Sequence, residues 1–68
     1  INQNLDEILK AIKSLKPEYR RILQLRFFDD QTYNSISTEL NQPLNTIKVK
    51  LFRAKRLLAE ILEKNDEV

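Results

Sequence analysis

The 68-residue chain has no cysteine, no histidine, no glycine, no methionine and no tryptophan, and only two prolines. Without Cys no disulfide can brace so small a fold, and without Cys or His the ligands of a structural zinc site are missing. The same gaps count against an enzyme: there is no thiol or imidazole for acid–base or nucleophilic work, and no Gly-rich loop to cradle a phosphate. No carboxylate pair sits on an apolar face, and adjacent acids in a turn, such as Asp29-Asp30, are ordinarily solvated. We therefore expect no catalysis, no cofactor and no metal. No apolar run approaches the ~18 residues of a membrane span, and nothing resembles a signal peptide. A cytoplasmic protein without a membrane partner is expected. The chain begins at Ile1 rather than Met, as a fragment of a longer protein would.

What is present favours helices. Leu, Ile, Lys, Glu and Arg, mostly good helix formers, fill much of the sequence. The length suits one domain, residues 1–68, burying only ~60% of the surface exposed when unfolded. Leu5, Ile8, Leu9, Ile12 and Leu15 recur at helical spacing, with Asn4 as N-cap and Asp6-Glu7 in the first turn. Pro17 disfavours helix at Lys16, ending this first helix near Leu15, and then serves as the first residue of a second helix. Tyr19, Ile22, Leu23, Leu25, Phe27 and Phe28 supply that helix's apolar surface, and Asp29-Asp30-Gln31 reads as a turn. Thr32 caps a short third helix carrying Tyr33, Ile36 and Leu40. Asn41, able to adopt the left-handed geometry usually taken by Gly, ends it before Gln42-Pro43. Asn45 or Thr46 is expected to cap a fourth helix running to about Lys64, with an unstructured tail beyond. The fold class is all-α: four helices containing a helix-turn-helix with a long C-terminal recognition helix.

The fourth helix carries the functional signal. At ~100° per residue, Ile47, Leu51, Ala54, Leu58, Ile61 and Leu62 share a core face. Opposite them lie Val49, Phe52, Arg53 and Arg56, flanked by Lys48, Lys50 and Lys55. Net charge is only +2, but from Leu44 to Ala59 there are five cations and no acid. Such a local basic stretch is the usual footprint of nucleic-acid binding. A basic helix face is often mere solvation, yet Val49 and Phe52 among the cations break the pattern of a purely solvated face. A short helix, a brief turn and then this helix form the arrangement that puts base-reading residues in a major groove. Thr46 and the free N–H groups at the helix start suit a phosphate. Lys48, Lys50 and Arg53 can reach phosphates or guanine edges, and Val49 or Phe52 a thymine methyl. Ser37 is small where the two helices cross, or else an ordinary surface serine.

These residues match a known pattern. Leu15-Lys16-Pro17-Glu18-Tyr19-Arg20 with Leu25-Arg26-Phe27-Phe28 resembles the opening of region 4 in bacterial sigma factors. Thr32-Tyr33-Asn34-Ser35-Ile36-Ser37 is similar to that region's "SYxEIA", and Pro43 to Lys55 to its "PxGTVKSRLxRAR". The nearest branch by pattern is the extracytoplasmic-function sigma factors, and the resemblance spans Leu5 to Leu62. It implies a C-terminal sigma domain that binds double-stranded promoter DNA at the −35 element while docking on the β-subunit flap of RNA polymerase core. An anti-sigma factor is a further candidate partner. By motif, Lys48, Val49, Lys50, Phe52 and Arg53 face bases and phosphates, while Arg26, Tyr33 and Thr46 hold the DNA backbone. Asn41 and Asn45 stand where the family has Gly, and Gln42 where it has an apolar residue. Val49 and Lys50 replace Ser and Arg, so the promoter sequence read is expected to differ from the common one.

Two other readings compete: the DNA-binding domain of a LuxR-type response regulator, which lacks the first and last motifs above, and a helical protein-docking module without DNA contact. Salt separates the second from any DNA binder. Affinity for duplex DNA is expected to fall with a log–log salt slope of about −0.9 per phosphate contact. Lys55→Ala is expected to weaken specific and non-specific duplexes alike and to reduce that slope by about one. A slope near zero for the parent chain marks an apolar docking surface instead.

Overall fold

The structure, a computed structural model, describes residues 5–66, with side chains to Lys64. Four helices follow one another: α1 (Leu5–Lys13), α2 (Pro17–Leu23), α3 (Tyr33–Leu40) and α4 (Leu44–Asp66). Asn4, the expected cap of α1, lies outside the described residues. Acids open α1, and Lys10 and Lys13 close it, complementing the helix dipole at both ends. It stops at Lys13, two residues before the expected end. Ser14 and Leu15 instead donate to Ala11 and Ile12 in tight three-residue steps. The cause is Pro17, which holds Lys16 extended at φ −58°, ψ 148°. The tightening still delivers Leu15 into the core.

Pro17 is the first residue of α2, as its missing N–H allows. The helix does not run unbroken to Phe28. From Gln24 to Phe28 it widens into a π turn, in which Asp29 N–H reaches Gln24 C=O at 2.9 Å. One inserted residue over one turn is too short a stretch to change the apolar period, so periodicity could not reveal it. The π turn ends where Asp30 takes a left-handed φ of 55° and Gln31 N–H returns to Leu25 C=O. Asp is among the few residues that accept that geometry at modest cost.

Thr32 caps α3, its hydroxyl accepting from Ser35 N–H at 3.1 Å. At the other end Asn41 is left-handed at φ 54°. Asn41 N–H returns to Thr38 C=O and Gln42 N–H to Ser37 C=O, the paired closure that a left-handed residue permits. Ser37 is half-buried and donates its hydroxyl to Gln42 C=O, tying the turn to the helix it leaves. After Asn41-Gln42-Pro43, α4 starts at Leu44. Neither Asn45 nor Thr46 caps it. Pro43 supplies the first acceptor, its carbonyl taking Ile47 N–H at 3.1 Å, because a residue without an N–H loses nothing at a helix start. At the far end α4 continues to Asp66, through part of the expected tail; Glu67 and Val68 lie outside the described residues.

The core is aliphatic. Ile22, Ile36, Ile47 and Ala54 are fully buried, with Leu15, Leu23, Leu25 and Leu51 close behind. They join α2 and α3 to the first half of α4. The second half rests on α1, with Leu58 and Ile61 half-buried against the same cluster. The molecule is 40 × 19 × 19 Å. At about 1.5 Å per residue, α4 alone accounts for most of the long axis.

The αα turn yields a stability test. Asn41→Gly is expected to be neutral or stabilising. Asn41→Val, β-branched at a positive φ, is expected to cost on the order of 1–2 kcal/mol. Thermal melting of the three proteins decides it, and equal midpoints would contradict a left-handed residue at this position.

Candidate nucleic-acid interface

Burial of Ile47, Leu51 and Ala54 fixes the rotation of α4, and the opposite face follows. Val49 is 42% exposed and Phe52 65%, and Arg53 and Arg56 stand exposed beside them. The two apolar side chains are one turn apart, so they meet on the helix surface. Arg53 and Lys48 form no ion pair among the described residues, whereas Arg56 lies 3.9 Å from Glu60. The N–H groups of Leu44, Asn45 and Thr46 precede the first intrahelical bond and point out along the dipole's positive end.

One flank of this face is a cleft lined by Arg26, Thr32, Tyr33, Asn34, Leu44 and Lys48. Three of the residues singled out from sequence, Arg26, Tyr33 and Lys48, thus come together from the π turn, α3 and α4. The Arg26 guanidinium lies 5.3 Å from the Tyr33 ring centre and donates from Nη1 to Gln31 C=O at 3.2 Å. Asp30 is 3.9 Å from the same nitrogen. Thr32 and Asn34 line this cleft too, and sequence reasoning missed them as site residues. Thr32 had already been assigned as a cap, and only its place beside Tyr33 at a helix start hinted at more.

The other flank is different. Lys50 is turned toward α2, 3.3 Å from a Glu18 carboxylate oxygen and donating to Gln42 Oε1 at 3.1 Å. Its side chain is only 23% exposed, so it stands apart from Arg53 and Val49. Lys55 lies on the first flank, nearer the π turn, its ammonium 5.7 Å from the Phe27 ring centre. Among the described residues no His/Cys/Asp/Glu group has the make-up of a metal site, and no helix is long and apolar enough to cross a membrane.

The family model described as "Sigma-70, region 4" matches residues 5–58. The chain is also 33% identical over 60 residues to RNA polymerase sigma factor SigV of Bacillus subtilis, an alignment covering 88% of this chain and 36% of that protein. The chain therefore spans about a third of the length of this curated relative.

The placement of Lys50 generates a prediction. Lys50→Met, which keeps the aliphatic stem but not the charge, is expected to cost at most about 1 kcal/mol, as for a partly exposed ion pair. It is expected to leave base preference unchanged on a panel of single-base variants of a bound site. A changed preference at any base pair would place Lys50 in the groove.

Proposed function

The chain belongs to the sigma-70 region 4 family, and on that premise we propose that it reads the −35 element of a promoter through the first turns of α4. The observation that carries the reading is the outer face of α4 between Leu44 and Ala59, a stretch without an acid, where Arg53, in no ion pair among the described residues, stands beside exposed Val49 and Phe52. A helix of this width enters the major groove, where base pairs differ in their donor, acceptor and methyl pattern. In this reading Arg53 grips guanine N7 and O6, and Val49 and Phe52 touch thymine methyl groups. Lys48, Arg26 and Tyr33 hold the backbone along the cleft, and Thr46 holds it at the helix start, helped by the free N–H groups there. Lys55 and Arg56 serve phosphates further out. Lys50, held by Glu18 and Gln42, sets the angle of the helix rather than reading a base.

Docking to polymerase uses another surface. A groove lined by residues of α1, α2 and the π turn has Leu9, Ile12 and Phe28 along it and Lys13, Arg20 and Arg21 at its edge. No α4 residue lines it, so a partner there and DNA on α4 need not compete. We assign this groove to the β-subunit flap of RNA polymerase core, with an anti-sigma factor as a second candidate occupant. The domain acts by binding alone and works in the cytoplasm, where promoter DNA is.

Arg53 provides the test. Arg53→Ala is expected to cost ~1–3 kcal/mol on the preferred site and to flatten preference at one base pair. Arg53→Lys is expected to restore part of the affinity but little of the preference, because an ammonium lacks the guanidinium fork. Binding of all three proteins to every single-base change of a selected site, at one salt concentration, is the measurement. A uniform loss across those sites would move Arg53 to the backbone.

A further inference from the structure

Phe27 lines an apolar pocket with Ile8, Ile12, Leu23 and Leu58 yet is 54% exposed, so burial accounts for only part of an aromatic ring there. What else surrounds it accounts for the rest. The Arg26 guanidinium carbon is 5.9 Å from its ring centre and the Lys55 ammonium 5.7 Å, both within the ~6 Å range over which a ring's quadrupole attracts a cation. Arg26 in turn lies 5.3 Å from the Tyr33 ring. Aromatic and cation thus alternate from Tyr33 through Arg26 and Phe27 to Lys55, crossing from α3 by way of the π turn to α4.

We infer that Phe27 is a positioning residue that holds Arg26 and Lys55 in a fixed row, ready for successive phosphates of one DNA strand. The inference rests on the DNA-binding reading above. Lys48 and Lys55 are seven residues apart, hence on nearly the same side of α4 and roughly 10 Å apart along it. Arg26 shares the cleft with Lys48 and the ring of Phe27 with Lys55. The three cations therefore line one flank of the recognition helix, where the sugar–phosphate backbone runs when that helix occupies a major groove. Long cationic side chains lose rotamer freedom on binding, and a ring that already restrains them lowers that loss. Attraction to the rings uses the charge of the Arg26 guanidinium and none of its N–H donors. Only Nη1 is engaged by the protein among the described residues, so Nε and Nη2 keep their donors for a phosphate.

The test measures duplex binding by fluorescence anisotropy over a range of salt, on a selected site and on a random duplex. Ordering one long side chain on binding is worth a factor of about 2 to 12, so freeing both cations in Phe27→Leu is expected to weaken the two duplexes alike, by about tenfold. Phe27→Trp, a better cation acceptor, is expected to bind as well as the parent or tighter. Phenylalanines carrying one, two and three ring fluorines, placed at position 27 alone, keep the shape while draining the quadrupole. Affinity is expected to fall stepwise along that series. The series carries the test even if Phe27→Leu melts too low to assay. Equal affinity across it, a Phe27→Trp variant as weak as Phe27→Leu, or a changed preference at a single base pair would each overturn the inference. Arg26→Ala and Lys55→Ala separate the two levels of the argument. If the parent chain binds neither duplex, the DNA-binding reading fails; if it binds and neither variant weakens binding, the phosphate row fails; if both weaken it while the fluorinated series stays flat, only the role of Phe27 fails.

Discussion

The rest of this structure depends on how α4 is seated against α2 and α3. Ile47, Leu51 and Ala54 present one side of α4 to Ile22 and Ile36, all of them buried. Each of the Ile and Leu side chains contributes about 1.5–3 kcal/mol when removed from water, and the chain has no Cys or His for a disulfide or zinc site to share the task. The seating does more than stabilise. It fixes the rotation of α4 about its axis, and with it the identity of every side chain on the outer face. A large-to-small change at Ile47 would therefore threaten the fold and blur the outer face of α4 together.

Rotation is set by apolar packing, but tilt and register are set by directional bonds. The αα turn is closed by Asn41 in left-handed geometry and by Ser37 holding the Gln42 carbonyl. Gln42 then accepts from Lys50, which also pairs with Glu18 on α2. Arg21 reaches Glu39 at 2.9 Å, and Gln31 bonds both Glu39 and Ser35. These groups are partly exposed, so each contributes little energy. Their value is geometric: Arg21, Gln31 and Glu39 tie α2 and the turn to α3, and Lys50 ties the head of α4 to Glu18 and Gln42.

The π turn links this scaffold to the proposed interface. It sends Arg26 toward Tyr33 and Phe27 toward Lys55 from adjacent positions, and puts Phe28 into the apolar groove beside α1. One widened turn thus feeds both the proposed DNA flank and the proposed polymerase surface. Interruptions of this kind are common at functional sites because they re-aim side chains without ending the helix.

Much of this was determined by sequence alone. Periodicity gave four helices and the core face of α4, because burial repeats at the helical period over many residues. Pro17, Thr32 and Asn41 marked their boundaries, because each acts through its own backbone or a partner a few residues away. The cation-rich, acid-free stretch with Val49 and Phe52 marked the face of α4 that stands exposed, for the same local reason. Tertiary structure alone decided the π turn and which cations are held by partners distant in the chain. Lys50 and Arg53 look alike in sequence, being cations three residues apart on one helix. Only the presence of Glu18 and Gln42 beside Lys50 separates them, and Glu18 lies 32 residues earlier in the chain. Distances between groups so far apart in sequence exist only once the helices have packed.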